Sequence, residues 1–385
     1  MSNVTGWADQ DKVHDIKSEL LEINMGPQHP ATHGVLRLLV KTDGEIVDSV
    51  TAHIGYLHRC AEKIAEGNDY RQFMVYTDRF DYLAPMNMNF SWAVAVENML
   101  EIEVPERAEY IRVICAELQR ICSHLIAFGT FGLDIGAWTP LLYAFREREV
   151  ILNIFEKLSG GRMLYNYFDI GGVRFDTPEG FKEEVIDFIN MFEVKLDEYN
   201  VLLSYNKIFV ERTADVGIIT AEDCADYGCT GPILRGAGKP WDCRKDDPYS
   251  IYDKFDFEIP YGEGEMGTVG DCWDRYMVRI REMFESCRIV RQAIESMPEG
   301  PVMTDDLKRN VKVPAGSLYT RTESSKGEMG YQIISDGGSK PFRNKVRSPS
   351  FSNLHIIEKV GRGQMLSDLV ATVGSLDIVL GEIDR

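Results

Sequence analysis

The 385-residue sequence has no CxxC pair, no internal repeat, no low-complexity tract and no excess of positive charge. No run approaches the roughly 20 consecutive apolar residues that a bilayer crossing requires. Each absence excludes something. The cysteines (Cys60, Cys115, Cys122, Cys224, Cys229, Cys243, Cys272 and Cys287) are scattered, and no Cys/His group has zinc or iron–sulfur spacing. Cys224 and Cys229 are the closest pair but lack a second pair to complete a site. Reduced structural thiols, and no metal of the chain's own, are therefore expected. Lys and Arg number 42 against 61 Asp and Glu, a net charge of −19, which excludes a general nucleic-acid binder with its basic footprint. The opening MSNVTGWADQDKVHD lacks the basic start and apolar core of a signal peptide. The expected location is the cytosol or the cytosolic face of a membrane.

What is present is an ordinary globular balance, 44% hydrophobic and 27% charged, in a chain long enough for a large core. One stretch organises the N-terminal region: GPQHPATHG, Gly26 to Gly34, between the extended runs LLEINM and VLRLLV. Its prolines remove backbone donors and its glycines permit conformations closed to other residues, which suits a hairpin loop. His29 and His33 are thereby placed on a loop between strands, His29 with a loop-structural role.

Residues 19–25, 35–41 and 46–53 read as a small antiparallel sheet with a tight turn at TDGE, 42–45. From Tyr56 the period becomes helical: HRCAEKIAE stopping near Gly67, then 86–102, then a long helix opened by Pro105. DIGAWTP, 134–140, interrupts the pattern before LLYAFREREVILNIFEKLSG resumes it. Pro178 starts a further helix, and 273–297 another. Glycine- and proline-rich loops are expected between 207 and 272. From Pro314 the runs GSLYTRTES, GYQIISDG and FSNLHII read as strands, followed by a short helix near 363–372. The expected class is α+β: a central helical bundle with small antiparallel sheets from the N- and C-terminal regions. The expected division is 1–55 for the N-terminal β region with its hairpin, 56–300 for the bundle and 301–385 for a C-terminal α/β region.

Four local features belong together: GPQHPATHGVLR at 26–37, HIGYLHRCAEK at 53–63, TDRFDYLAP at 77–85 and LDIGAWTP at 133–140. With LRGAGKPWDCRK, ESSKGEMGYQIISDG and the terminal GSLDIVLGEIDR, they closely resemble the quinone-site core subunit of respiratory complex I, the D or 49-kDa type, itself related to the large subunit of nickel–iron hydrogenases. The resemblance spans nearly the whole chain. Set on the hydrogenase pattern RxCGxC, Arg79 and the downstream Ala95-Val96-Glu97 keep their spacing, but the cysteine positions are Asp81 and Ala84. The C-terminal hydrogenase pattern DPCxxCxxH falls on Asp377-Ile378-Val379, Glu382 and Arg385. All four thiolates are missing, so a nickel–iron centre has no soft ligands.

The resemblance implies roles for particular residues. His33 and Tyr82 match the quinone ligands, and Asp134 matches the carboxylate that hydrogen-bonds the histidine; these three are the expected catalytic residues. The types suit the task, because reduction of a quinone by two electrons leaves two oxygens that each take a proton. Tyr supplies an O–H, and His can donate and titrate near neutrality. Arg59 and Arg79 match arginines near a 4Fe-4S cluster held by the neighbouring B-type subunit. The other implied partners are the C-type (30-kDa) subunit and the membrane H-type subunit, at the cytoplasmic side of the cell inner membrane. Where many members follow SGxRM with a histidine near that cluster, this chain has Leu164 after Ser159-Gly160-Gly161-Arg162-Met163. A leucine cannot titrate, which favours a cluster of low potential and menaquinone as acceptor. The alternatives are an equivalent subunit of a hydrogenase-related complex fed by ferredoxin or another donor, and a structural scaffold with a vestigial cavity.

Overall fold

Alternation of apolar residues builds the first sheet. The computed structural model describes residues 20–28, 34–305, 307 and 310–385. Strands β1 (Leu21–Met25), β2 (Arg37–Asp43) and β3 (Ile46–His53) pair antiparallel in that order, with Asn24 opposite Leu39 and Val40 opposite Val50. Leu38 and Val40 on β2, and Val47 and Val50 on β3, turn inward and are buried. Gly26 closes the hairpin base at φ +90°, where a Cβ would meet the Leu36 carbonyl oxygen at 2.0 Å, so no other residue fits. The loop positions of His29 and His33 lie outside the described residues.

The helical centre follows: α1 (Ala61–Gly67), α2 (Tyr70–Thr77), α3 (Pro85–Leu100), α4 (Glu106–Asp134) and α5 (Thr139–Ser159). Helix α2 was not expected from periodicity; a capping box between Asp69 and Gln72 starts it. Helix α4 is buried almost all round, including Arg112, Glu117, Arg120 and His124, and it packs between α5 and a later helix, Cys272–Ser296. A two-stranded ribbon, β4 (Phe168–Asp169) and β5 (Gly172–Val173), leads to α6 (Phe181–Tyr199).

The segment expected to be loops carries short helices instead: α7 (Lys207–Thr213), α8 (Ala221–Tyr227), α9 (Pro232–Gly236) and α10 (Cys243–Asp246). Asn206, Thr220 and Asp242 cap three of them through their side chains. These pieces of one or two turns are too short for a periodic pattern and are held by caps and packing. Helix α11 (Cys272–Ser296) then runs back along α4.

The C-terminal sheet consists of β6 (Gly316–Ser324), β7 (Gly327–Ser335) and β8 (Arg343–Arg347), antiparallel in that order. FSNLHII, expected as a strand, is helical and lies in α12 (Pro349–His355) and the start of α13 (Ile357–Val360). Ser348 Oγ accepts from Phe351 N and Pro349 occupies the first turn, a start signal that outweighs the β propensity of the apolar residues. The third strand is RNKVR, just before it. Helices α14 (Leu366–Leu376) and α15 (Leu380–Asp384) complete the chain. The result is the α+β arrangement expected, a helical centre with small antiparallel sheets from both ends. A second apolar cluster joins β1–β3 to α13 and α14 and so ties the N-terminal sheet to the C-terminal helices. Among the described residues no helix is long and apolar enough to cross a membrane.

Candidate functional site

The turn between α2 and α3 carries the candidate chemistry. Phe80 is fully buried and anchors it, tilted against Phe73 with ring centroids 6.3 Å apart. Asp81 Oδ1 accepts from Leu83 N at 2.9 Å, the Ala84 amide closes on the Asp81 carbonyl at 3.1 Å, and Gln119 from α4 donates to the Leu83 carbonyl at 2.7 Å. Tyr82 rides on this braced turn, half-buried, and its hydroxyl makes no hydrogen bond among the described residues. Burial, seconded by the Asp81 carboxylate, pushes its phenol up.

The C-terminal segment lies directly beneath. A Cβ on Gly381 would stand 2.6 Å from the Phe80 carbonyl oxygen and 3.3 Å from Tyr82 Cδ1, so only glycine allows this approach. Arg59 joins the two segments: Nη2 donates to the Arg79 carbonyl at 2.6 Å and the Gly381 carbonyl at 3.3 Å, and its amide donates to Arg385 O at 3.0 Å. Asp384 in turn accepts from the Gly55 and Leu57 amides at 2.8 and 2.6 Å. Burial and the neighbouring Arg79 guanidinium lower the Arg59 pKa. Among the described residues neither arginine forms an ion pair with a carboxylate. Two adjacent guanidiniums, with Asp384 acting on Arg59 only at a distance, make a local positive site at the surface.

Beneath the turn runs a buried ionic chain. Glu117 on α4 binds Arg244 at 3.0 Å and Arg120 at 3.3 Å; Arg244 also binds Asp242 at 2.7 Å. Arg235 reaches Glu282 at 2.7 Å, Glu323 at 2.8 Å and Asp242 at 3.3 Å. At the near end Lys326 binds Asp377 at 2.5 Å, with Arg279 at 3.4 Å. His124 lies 2.8 Å from Glu282, but burial holds it near 4 and therefore neutral. Arg120, Arg235, Arg244, Arg279 and Lys326 are thus matched by Glu117, Asp242, Glu282, Glu323 and Asp377. Against the cost of burial, these cations hold Glu117, Asp242, Glu282 and Asp377 below the usual carboxylate range.

Asp81 and Glu382 stand apart from that balance. Both are fully buried, and among the described residues Asp81 Oδ2 and Glu382 Oε2 have no hydrogen-bond partner. Burial, with the Asp81 charge behind it, pushes Glu382 up to about 8. Burial also raises Asp81, with Lys326 opposing and Asp377 adding to the rise. These are two of the positions where the hydrogenase pattern has thiolates; the other two, Ala84 and Val379, are buried and apolar. Among the described residues no group of three or more His, Cys, Asp or Glu is placed to hold a metal ion.

Asp134 is the last residue of α4, where the helix dipole disfavours negative charge. Its Oδ2 packs against α14 at Gly374, where an added Cβ would stand 2.8 Å away. Burial alone pushes its carboxyl up to about 7. The structure therefore sets Tyr82 and Asp134 against one C-terminal stretch, Tyr82 at Gly381 and Asp134 at Gly374. It brings Arg59 and Arg79 beside Tyr82. His33, the third expected catalytic residue, lies outside the described residues.

Sequence reading passed over three acids. Asp81 and Glu382 entered it only as positions that had lost a thiolate. Asp78 was not singled out; it is buried, Oδ2 accepts from Asn166 N at 3.1 Å, and burial pushes it up to about 7. Glu97, noted for its motif spacing, binds Arg112 at 2.6 Å and the Gly171 amide at 2.7 Å, a structural pairing between α3 and α4.

Residues 134–311 and 306–385 match the family described as the respiratory-chain NADH dehydrogenase 49 Kd subunit. A relative from Geobacter sulfurreducens, the D-type subunit of NADH-quinone oxidoreductase, is 50% identical over 392 residues, covering 96% of this chain and 99% of its own. The corresponding D-type chain of Chlorobaculum tepidum is 49% identical, covering 96% and 94% respectively. A D-type chain from Anaeromyxobacter dehalogenans, numbered 2 in that organism, is 50% identical, covering 96% and 98%.

Proposed function

Since this chain belongs to the 49-kDa subunit family of respiratory NADH dehydrogenase, and is a core subunit of an NADH-quinone oxidoreductase of the complex I type, we propose that it forms the quinone head-group site of that enzyme. The observation that carries the reading is the position of Tyr82. It is braced on a well-bonded turn, its hydroxyl is uncommitted among the described residues, and two arginines that form no ion pair among those residues stand beside it. The reading gives each residue a task. Tyr82 donates its O–H to one carbonyl oxygen of the substrate and His33 serves the other. Asp134 pairs with His33, orients the ring and favours its charged form.

The arginine pair suits a negatively charged group just beyond the surface of this chain. A 4Fe-4S cluster on the B-type subunit would supply electrons there. Arg59 and Arg79 would hold the interface and stabilise the added negative charge. The C-type and membrane H-type subunits complete the proposed neighbourhood, on the cytoplasmic side of the cell inner membrane. Donor-dependent quinone reduction by the purified complex, with Tyr82 variants alongside, tests the assignment. NADH as the effective donor separates it from a ferredoxin-fed complex.

Asp134→Asn should lower activity and change its pH dependence. The wild-type carboxyl, raised to about 7, is protonated below that value and ionised above it. In the unfolded chain it ionises near 4. A raised carboxyl contributes stability that is fully present below the unfolded pKa and lost as pH rises through about 7. Asparagine mimics the protonated form, so its advantage in unfolding midpoint should grow as pH rises from about 4 to about 7 and be full above that. The activity limb governed by Asp134 should vanish. Superimposable pH profiles for activity would refute the pairing with His33.

Leu164, 38% exposed, cannot take up a proton when the neighbouring cluster is reduced. A low cluster potential with little pH dependence suits menaquinone as acceptor. Leu164→His should introduce a slope approaching ~59 mV per pH unit, the one-electron scale. An EPR-monitored redox titration of the assembled complex at several pH values measures it. An unchanged slope in the variant would rule out proximity of residue 164 to the cluster.

A further inference from the structure

We propose that Cys60, with His58 as its base, is a reactive thiol that exchanges with small anionic disulfides in a cavity beside the C-terminal residues. The inference does not depend on the quinone reading.

Cys60 is exposed, whereas the other cysteines are all buried. It stands just before α1 at φ 57° and ψ 34°, the left-handed region that favours glycine, and its side chain makes no capping hydrogen bond. A side chain kept where glycine would be easier points to a use for that side chain. The thiol faces a base, with Sγ 3.6 Å from His58 Nε2. The far side of the ring is held, because Nδ1 lies 2.6 Å from the Asp384 carbonyl oxygen. That oxygen can only accept, so Nδ1 carries a hydrogen and Nε2 is left to exchange a proton with the sulfur. A nucleophile, a base within reach of it and a third group orienting the base are the parts of an activated thiol.

Both residues line a cavity of about 380 Å³, within the range of small-molecule sites. Lys63, Arg343, Lys345 and Arg385 bring positive charge to its walls, against the carboxylates of Glu62 and Asp384. Asp384 is committed to the Gly55 and Leu57 amides, and Glu62 is shared among Arg343, Lys345 and Arg385. Glu66, outside the lining, binds Lys63 and Arg343. Even with it counted, cations outnumber acids, which favours a disulfide of net negative charge. Tyr82, Arg59 and Arg79 do not line this cavity, so it is separate from the head-group site.

The exchange balances without an outside oxidant beyond the disulfide itself. The Cys60 S–H proton passes to His58 Nε2 as Sγ attacks one sulfur of the incoming disulfide. That S–S bond breaks and a new one forms to Cys60. The departing sulfur leaves as a thiolate and takes the proton back from Nε2, so Cys60 is oxidised and the released thiol is reduced.

Brief exposure of the assembled complex to oxidised glutathione, followed by peptide mass mapping, tests the site. Cys60 should carry the adduct and the buried cysteines of this chain should not. The reaction should run about tenfold faster than at the same thiol in the urea-unfolded chain. Cystamine, whose charges are ammonium groups, should react about fivefold more slowly than glutathione disulfide at low salt, and the gap should close as salt rises. His58→Asn keeps a donor for the Asp384 carbonyl but offers no base, and should slow the reaction about tenfold. Cys60→Gly should fold normally and carry no adduct, since glycine suits that backbone conformation. An unmodified Cys60 in the wild-type complex, or a rate no higher than in the unfolded chain, overturns the proposal whatever the variants do. An unchanged rate in His58→Asn removes the base, and equal rates with the two probes remove the preference for anions.

Discussion

Replacing Tyr82 by phenylalanine should lower quinone turnover about a hundredfold, the usual consequence of losing one well-placed donor at the reacting oxygen. The ring remains, so its packing against Gly381 is kept. The lost hydroxyl bonds to nothing else among the described residues, so no protein group is left without a partner. Stability should change by less than about 0.5 kcal/mol, as for a neutral surface substitution. The complex should therefore assemble with a normal unfolding midpoint while reducing quinone poorly. Steady-state assay with a short-chain quinone decides the matter. Turnover within about twofold of wild type would remove Tyr82 from the reaction.

Arg235→Met should be as severe for stability as Tyr82→Phe is for chemistry. The Arg235 guanidinium is fully buried; it donates to Glu282, Glu323 and the Trp241 carbonyl and lies 3.3 Å from Asp242. Methionine fills much of the volume but leaves those acids without their shared cation. Breaking a buried ion pair from one side costs about 3–5 kcal/mol, mostly the penalty of the stranded charge. The expected result is a loss of about 4 kcal/mol in denaturant unfolding of the chain, and poor incorporation into the complex. Adding Glu282→Gln removes one stranded charge and should recover part of the loss. An unfolding midpoint unaffected by Arg235→Met would mean that the ionic chain does not hold the helical centre together.

The long elements were legible because their patterns are long. Helix α4 announces itself by Pro105 and 29 residues of helical spacing, and β2 and β3 by alternation. FSNLHII misled because a short apolar run has no period of its own; the deciding signal was Ser348-Pro349 just before it. The helices between 207 and 246 escaped for a related reason, since capping and packing rather than repetition hold them. In the site, Tyr82 and the arginines stand inside motifs and could be named. The ionic chain could not be assembled from sequence, because Glu117 and Arg244 are 127 positions apart and Arg120 bonds a carbonyl 204 positions away. A hint was available: α4 carries Arg112, Glu117, Arg120 and His124 among apolar residues over 111–125, and charges in such a place must find partners indoors. Asp81 and Glu382 were visible only as replacements. That neither forms an ion pair among the described residues is a fact of three dimensions.

The clasp between Asp384 and the amides of Gly55 and Leu57 joins residues 329 and 327 positions apart. Ribosomes add about 5–20 residues per second, so the segment bearing Arg59 emerges on the order of 15 to 65 seconds before its counterpart. Throughout that interval the carbonyl of Gly381 and the backbone of Arg385 are not there for Arg59 to grip. The surface around Tyr82, Arg59 and Arg79 is consequently completed only once translation has passed residue 385. A partner chain that recognises this surface therefore finds it whole only after residues 381–385 have joined Arg59.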